Sequence, residues 1–521
     1  MFGFSRKPPC RIPDSLIAAL DALSYPDLSV ELQRWCTQVN AIVDEEKLLE
    51  AAKRRGWNEK ACEKIKIIIS YYLNDYSRAF ELSRRFIEPD EGFDADIFTL
   101  CIGILYRNNQ FEDAASLMAA VSEERDELSA RDDYWVLRAV VSWSVCNVTA
   151  AHAAIDRALE ILPKNRIVLE NAVSIYWELG AQGKFKAAFD RLSELGFDTG
   201  YAYALVLLAM GRYSEGFERM EARYQMDETN RYLNKALTST KHWNGVESVG
   251  KGLLLSAEQG LGDSVQMARY IPDLFSVTGG RLAVEVQVEA LSFLQYNFPE
   301  IQFFPREYGK LPDVKFDHWI GMMSLPLIFK TEIDTIPRRF SYLKAPSDCL
   351  EYWRARVEGL APDARRRRIG IAWSGQSIHR ADRRRSISFS LIANWIRECD
   401  ADFFALQKIV PDIRPVNLID VSAEMMTLGD TAALIQEMDL VVTVDTSIVH
   451  IAGALGKPTL LLLPFRYEWR WGMEGEENPW YESVRVFRQQ RAGEWANVLA
   501  VVFNNEILRT IGERSRSGIT V

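Results

Sequence analysis

Asp439-Leu440-Val441-Val442-Thr443-Val444-Asp445-Thr446-Ser447-Ile448-Val449-His450-Ile451-Ala452-Gly453-Ala454-Leu455-Gly456-Lys457-Pro458-Thr459-Leu460-Leu461-Leu462-Leu463 reads as strand, turn, helix and strand in one run. The first strand spans 439–444 and the helix 448–455, with Gly456 and Pro458 ending it. Between them, Asp445-Thr446-Ser447 is a turn made of helix-capping residues. Such a unit predicts a parallel sheet with free N–H groups and polar side chains at a helix N-terminus on its carboxyl edge, where a diphosphate fits. His450 stands four residues after Thr446, on the same helical face, in reach of a phosphate oxygen or a ribose. Taken one at a time, Asp445 or Thr446 is a cap and His450 a core histidine; the cluster points to a ligand site.

Working outward, the same α/β texture begins near residue 250. Leu253–Ala257, Leu282–Val286 and Ile301–Phe304 predict the strands of one unit. Those at Ile369–Trp373, Phe403–Leu406, Val416–Ile419, Leu440–Val444 and Thr459–Leu463 predict a second. Between the two sets, a stretch without periodicity ending in Arg365-Arg366-Arg367-Arg368 reads as a linker. Two Rossmann-like domains facing a cleft are the expected result.

Each unit carries a loop suited to chemistry. After the first strand comes Glu258-Gln259-Gly260-Leu261-Gly262-Asp263-Ser264, where Gly260 and Gly262 permit a tight turn and close approach of a ligand. Asp263 stands at the helix N-terminus as a candidate general base, with a capped turn as the structural alternative. After the first strand of the second unit comes Trp373-Ser374-Gly375-Gln376-Ser377-Ile378-His379-Arg380-Ala381-Asp382-Arg383-Arg384-Arg385-Ser386. This local basicity suits an anion, and Ser374, Gly375, His379, Arg383 and Arg385 are candidate donor contacts; a solvated basic loop is the alternative. Gln407-Lys408 closes the next strand, and Lys408 is placed to neutralise a leaving diphosphate. Trp469, Trp471 and Trp480 either line the cleft or pack in the core. Asp94-Ala95-Asp96 and Asp400-Ala401-Asp402 lie away from carboxyl-edge sites, so neither supports a metal.

Residues 14–240 show helical periodicity without strand alternation. A turn residue, an aromatic or apolar residue and a small residue recur at Asn74/Tyr76/Ala79, Gln110/Phe111/Ala114, Asn147/Val148/Ala151, Gly183/Phe185/Ala188 and Gly211/Tyr213/Gly216. Their spacings of 35, 37, 37 and 28 residues bracket about 34, the tetratricopeptide (TPR) length. The aromatic opens the second helix of a hairpin, and the small residue lets its partner approach. Pro163 stops one helix and Asn165 caps the next. A generic helical bundle is the alternative.

Composition excludes several classes. A net charge of −10 disfavours a general nucleic-acid binder, which needs a dominant basic surface. The 48% hydrophobic and 26% charged residues are those of a folded globular chain. Seven scattered cysteines without a CxxC pair suggest neither disulfides nor a zinc site and fit a reducing cytoplasm. The N-terminus lacks a signal-peptide core, and no apolar run is long enough to span a bilayer.

Together these motifs resemble the tetratricopeptide-containing glycosyltransferases related to bacterial heptosyltransferases and, more distantly, O-GlcNAc transferases. The resemblance is carried by 250–263, Asp382-Arg383-Arg384-Arg385-Ser386-Ile387 and 445–458, with Tyr224 and Trp243-Asn244-Gly245 similar to the junction between repeats and catalytic domain. It implies TPR-like repeats followed by a GT-B glycosyltransferase of two Rossmann-like domains. Transfer would invert the anomeric carbon and require no metal or cofactor beyond the nucleotide-sugar substrate. By analogy Asp263 is the base, Lys408 the donor-phosphate contact, and Gly260, Gly262, Gln407, Asp445, Thr446, Ser447 and His450 complete the donor pocket. The chain departs from the family at Gly375-Gln376-Ser377, where Gly-Asn-Pro often follows the tryptophan.

The domains expected are a helical region at 1–68, repeats at 69–245, a first GT-B domain at 246–345, a nucleotide-sugar domain at 346–505 and a tail at 506–521. A protein acceptor held by the repeats, such as a surface or flagellar component modified before export, is expected by analogy. The rivals are a non-catalytic TPR scaffold with a degenerate nucleotide-sugar domain and a lipopolysaccharide heptosyltransferase.

Overall fold

The computed structural model describes residues 49–507 apart from 51–52, 55–58, 73–74, 84–92, 109, 122–125, 146, 179, 198–199, 226–236, 238–239, 248–249, 308, 376–384, 466–467, 473–474 and 492. Asn74, His379, Arg383, most of the 1–68 region and nearly all of the tail from 506 lie outside the described residues. The chain divides into two compact units, one ending at Ala188 and the other beginning at Phe189.

Helical periodicity becomes helical hairpins. In the first unit α1 (Glu59–Tyr72) packs on α2 (Tyr76–Ser83), α3 (Ala95–Arg107) on α4 (Phe111–Ala120) and α5 (Asp132–Ser144) on α6 (Val148–Ile161). Next come α7 (Arg166–Glu178) and α8 (Gln182–Glu194), and in the second unit α9 (Gly200–Ala209) packs on α10 (Tyr213–Met220). Tyr76, Phe111, Val148 and Tyr213 each open a second helix; Phe185 comes one turn into α8. Ala79, Ala114 and Ala151 are fully buried, and a methyl on Gly216 would meet the Leu208 side chain at 2.6 Å. The small residues are therefore required by helix approach.

Caps set the helix starts. Asn165 Oδ1 accepts from Ile167 N at 2.9 Å and Val168 N at 3.2 Å. Asp94 accepts from Asp96 N and Ile97 N, so the Asp94-Ala95-Asp96 string is a helix cap. Phe98, Ile102 and Leu105 of α3, Met118 of α4, and Tyr134 and Val141 of α5 share one core, each buried side chain contributing about 1.5–3 kcal/mol.

The second unit holds two all-parallel sheets. The first contains β1 (Lys241–His242), β2 (Leu253–Ser256), β3 (Leu282–Val286), β4 (Gln302–Pro305) and β5 (His318–Gly321), in the order β1-β5-β2-β3-β4. The second contains β6 (Arg367–Ala372), β7 (Ala401–Ala405), β8 (Leu418–Ile419), β9 (Leu440–Val444), β10 (Thr459–Leu463) and β11 (Val484–Arg488), in the order β11-β10-β9-β6-β7-β8. Strands β2, β3, β9 and β10 are buried along their whole length, which is why they read as predominantly apolar runs.

The strand order sets where the crevice of the second sheet lies. From β6 the chain winds outward through β7 and β8, returns to β9 on the other side of β6, and winds outward again to β11. This is the doubly wound Rossmann order, and its crevice lies between the carboxyl ends of β6 and β9. Those strands lead into Trp373-Ser374-Gly375 and Asp445-Thr446-Ser447. In the first sheet the same reversal falls between β2 and β5.

Three strands escape the sequence reading: β1, β5 and β11. The linker also needs correction. Residues 347–360 form a helix whose Trp353 Nε1 donates to Asp430 at 3.1 Å, and the arginine run enters β6. Arg366 binds Asp400 and Asp402 at the amino end of β7, which is the structural use of that second acidic string.

The first sheet's crevice is filled from within. Arg223, in the helical turn that follows α10, is fully buried and donates to Glu258 at 2.8 and 3.3 Å. It also donates to Glu221 at 2.6 Å, Tyr224 Oη at 2.6 Å and Ser324 Oγ at 2.7 Å. Glu258 accepts in addition from Met323 N, just after β5, at 2.9 Å. Replacing one partner strands a buried charge: Glu258→Gln is expected to cost about 3–5 kcal/mol, and Arg223→Met with Glu258→Leu less than the single change. Chemical denaturation checks this, and a double variant weaker than Glu258→Gln would contradict it.

Candidate functional site

Two helices bring the sequence motifs together. The loop after β2 enters α11 (Leu261–Met267), with Gly260 as its N-cap residue and its N–H donating to Asp263 in the first turn. The loop after β9 enters α12 (Ser447–Ala454), whose Thr446 cap accepts from Ile448 N at 3.3 Å. The two helices pack directly, and a methyl on Gly262 would fall 2.6 Å from His450 Cδ2. Gly262 is thus a glycine because an imidazole lies on it. The space reserved for a ligand at Gly262 belongs to a side chain, and Gly260, with φ −73°, has ordinary extended backbone.

Asp263 is held at both oxygens. One accepts from Gly260 N at 2.9 Å, and the other binds Arg470. Arg470 is 6% exposed and reaches from the connection between β10 and β11, where it also donates to Gln266 Oε1 at 2.6 Å and Glu468 at 3.2 Å. Tyr201, on α9, lies in the same charge field. Burial, with Glu468 and Asp263 beside it, pushes its phenol up to about 12, so it stays an O–H donor.

His450 is enclosed. Its Nδ1 pairs with Tyr481 Oη at 2.9 Å, and its ring lies 5.4 Å from that of Trp471. Burial first, then the Arg470 and Arg269 charges, hold its pKa well below the usual histidine value, so the ring is neutral. Trp471, Trp480 and Tyr481 are fully buried, with Trp480 stacked 5.9 Å from Tyr213 and Trp469 5.7 Å from Phe217. These tryptophans pack in a core.

The remaining described candidates follow the carboxyl ends of β6, β7 and β9. Arg385 donates to the Asp445 carbonyl at 2.8 Å, which joins the basic loop to the helix-terminal turn. Gln407 Oε1 accepts from Trp373 N at 2.9 Å and Ser374 N at 3.3 Å, while its amide donates to Ser374 Oγ at 3.2 Å. Gly375 N donates to Ser386 Oγ at 3.2 Å. Lys408 is exposed and its ammonium binds the Met425 carbonyl. Ser447, partly exposed, begins α12.

Sequence reasoning missed Arg470, Glu468, Tyr201 and Asn478. Arg470 stands between two tryptophans, where the aromatic signal dominates, and its partner Asp263 is 207 residues away. Asn478 is buried, accepts from Trp480 N and Tyr481 N, and so shapes the turn presenting both rings.

Asp445 is 8% exposed, and burial, reinforced by Glu468, pushes its carboxyl from 3.8 up to about 6 against the pull of Trp471, Arg385 and Arg470. Below about pH 3 it is protonated whether the chain is folded or not. As pH rises towards 6 the unfolded chain ionises first, so stability falls through that window and levels off above it. Asp445→Asn is therefore expected to exceed the parent by up to about 3 kcal/mol at pH 7.5 and to match it near pH 3. Thermal unfolding at both pH values checks this; a gap independent of pH would contradict it.

Residues 403–494, from β7 to just beyond β11, match the family model of glycosyltransferase family 9 (heptosyltransferase). Protein FlbA of Caulobacter vibrioides is 26% identical over 443 residues, covering 75% of this chain and 72% of FlbA. A family 9 glycosyl transferase from Veillonella parvula aligns over 53% of this chain and all of its own, at 12% identity and a TM-score of 0.35. The ADP-heptose LPS heptosyltransferase II of E. coli aligns over 52% of this chain and all of its own, at 13% identity and a TM-score of 0.36. No helix among the described residues is long and apolar enough to cross a membrane. The second sheet domain is thus similar in sequence to the heptosyltransferase family over the segment that contains Lys408 and the Asp445–His450 turn.

Proposed function

We propose that the chain is a glycosyltransferase of GT-B type that moves a sugar from a nucleotide-sugar donor to an acceptor hydroxyl. The observation that carries the reading is the placement of Asp445-Thr446-Ser447 at the switch point of a doubly wound sheet, within the segment matching glycosyltransferase family 9. In this reading the donor diphosphate lies at the α12 N-terminus, where N–H groups and the helix dipole favour negative charge. Arg385 is already bound to that turn, and Lys408 lies at the carboxyl end of β7.

Asp263 takes the acceptor hydroxyl proton as the acceptor oxygen bonds to the anomeric carbon. The bond from that carbon to the diphosphate breaks, and its electron pair leaves with the nucleotide. One direct displacement inverts the carbon, with protein cations rather than a metal supporting the leaving charge. The helical hairpins, as TPR-like repeats, present a protein acceptor, and the reaction takes place in the cytoplasm. Heptose transfer to a lipopolysaccharide is the second reading, its sugar favoured by the description of the matching family.

Thermal-shift binding of ADP, GDP and UDP, followed by incubation with ADP-heptose and UDP-N-acetylglucosamine, tests the reading. Nucleotide binding with donor turnover is expected, and Asp263→Asn is expected to lower kcat by about 10²–10⁴ while leaving nucleotide binding intact. Tight nucleotide binding without turnover of either donor would favour a scaffold. Full activity in Asp263→Asn would remove Asp263 as the base.

A further inference from the structure

The candidate base and the residue that fixes it come from different sheets. Asp263 and Gln266 lie on α11, behind β2, whereas Arg470 and Glu468 lie in the connection from β10 to β11. Arg470 uses Nε on Gln266, Nη1 on Glu468 and Nη2 on Asp263, so its planar fork has one orientation. Its guanidinium also lies 4.7 Å from the centre of the Trp469 ring, and that ring packs edge-on against Phe217 of α10. Support therefore runs from the last helical hairpin through Trp469 to Arg470 and on to the carboxylate.

We propose that Arg470 is a positioning residue for sugar transfer, fixing the Asp263 carboxylate in the plane from which it takes the acceptor proton. The proposal rests on the transferase reading. Gly260 N–H holds one oxygen and the guanidinium the other, so the side chain cannot swing about its Cα–Cβ bond. Each carboxylate oxygen keeps a second lone pair for the incoming proton. Because the guanidinium belongs to the donor-side domain, the acceptor-side carboxylate is in register only when the two domains are engaged. Misplacement of a reacting group by about 1 Å costs on the order of 10²-fold in rate, which sets the size of the expected effect.

The test is a kinetic cycle of parent, Arg470→Gln, Asp263→Asn and the double variant, using ADP-heptose or UDP-N-acetylglucosamine, whichever the parent turns over. Arg470→Gln is expected to lower kcat by about 10–100-fold, with the donor KM within about twofold and calorimetric binding of ADP or UDP unchanged. In the Asp263→Asn background the same change is expected to add nothing, because its target is already gone. Effects that multiply would show that Arg470 acts independently of Asp263 and would overturn the proposal, as would an unchanged kcat. Arg470→Lys, which keeps the charge without the fork, recovers part of kcat and runs the same cycle if the glutamine variant does not fold. A parent that turns over neither donor overturns the transferase reading, and this inference with it, before any variant is compared.

Discussion

The ion pair between Arg223 and Glu258 is the constraint on which the second unit depends. Both side chains are removed from water, so each is tolerable only with the other and with the surrounding hydroxyls and N–H groups. Glu258 sits where the first sheet's winding reverses, so the pair fills the crevice that a doubly wound sheet otherwise offers to a ligand. Gly321 shows how closely it is filled, since a methyl there would meet Glu258 and Tyr224 oxygens at 2.5 Å. Two sheets with the same winding therefore differ in use. One crevice is closed by the protein's own arginine, and the other keeps its helix-terminal turn at the sheet edge.

Closing the first crevice also fixes the loop that leaves β2. Glu258 begins that loop, which reaches the α11 N-terminus, so anchoring it anchors Gly260 and Asp263 five residues on. From the other side α11 is held by His450 on Gly262 and by Arg269, which is buried and donates to the Trp480 carbonyl at 2.9 Å. Arg269 also lies over the Tyr342, Trp480 and Tyr481 rings, at 4.8, 5.1 and 4.8 Å. A buried cation satisfied by carbonyls and aromatic faces ties the two sheet domains where the α11 N-terminus meets the α12 helix.

Much of this was legible because the signals are local. The helical hairpins announced themselves through Ala79, Ala114 and Ala151, whose size is dictated by helix approach, and β9 and β10 through β-branched and leucine runs that both faces of a parallel sheet demand. Asp445-Thr446-Ser447 was legible for the same reason, since capping chemistry is written in adjacent residues. Strand β5 was not, because His318 and Trp319 lack the aliphatic run of its neighbours, although all four of its residues are buried. The alternation in Val484-Arg485-Val486-Phe487-Arg488 could have revealed β11. Arg470 and Arg223 were illegible for a different reason: a buried ion pair has no periodicity, and its meaning depends on a partner brought in by the fold.

The fate of His450 shows how far burial alters a motif. Beside the Asp445 turn an imidazole reads as a phosphate or ribose contact, and as a cation it would suit an anion well. Packed on Gly262 and bonded to Tyr481, it has no water to support a charge, and the nearby Arg470 and Arg269 oppose one further. The positive charge beside this turn is carried instead by guanidiniums, which keep their protons when buried. Arg385 holds the Asp445 carbonyl, and Arg470 lies between Asp263 and Glu468. The histidine is left to join two helices, and Gly262 opposite it is small for that reason.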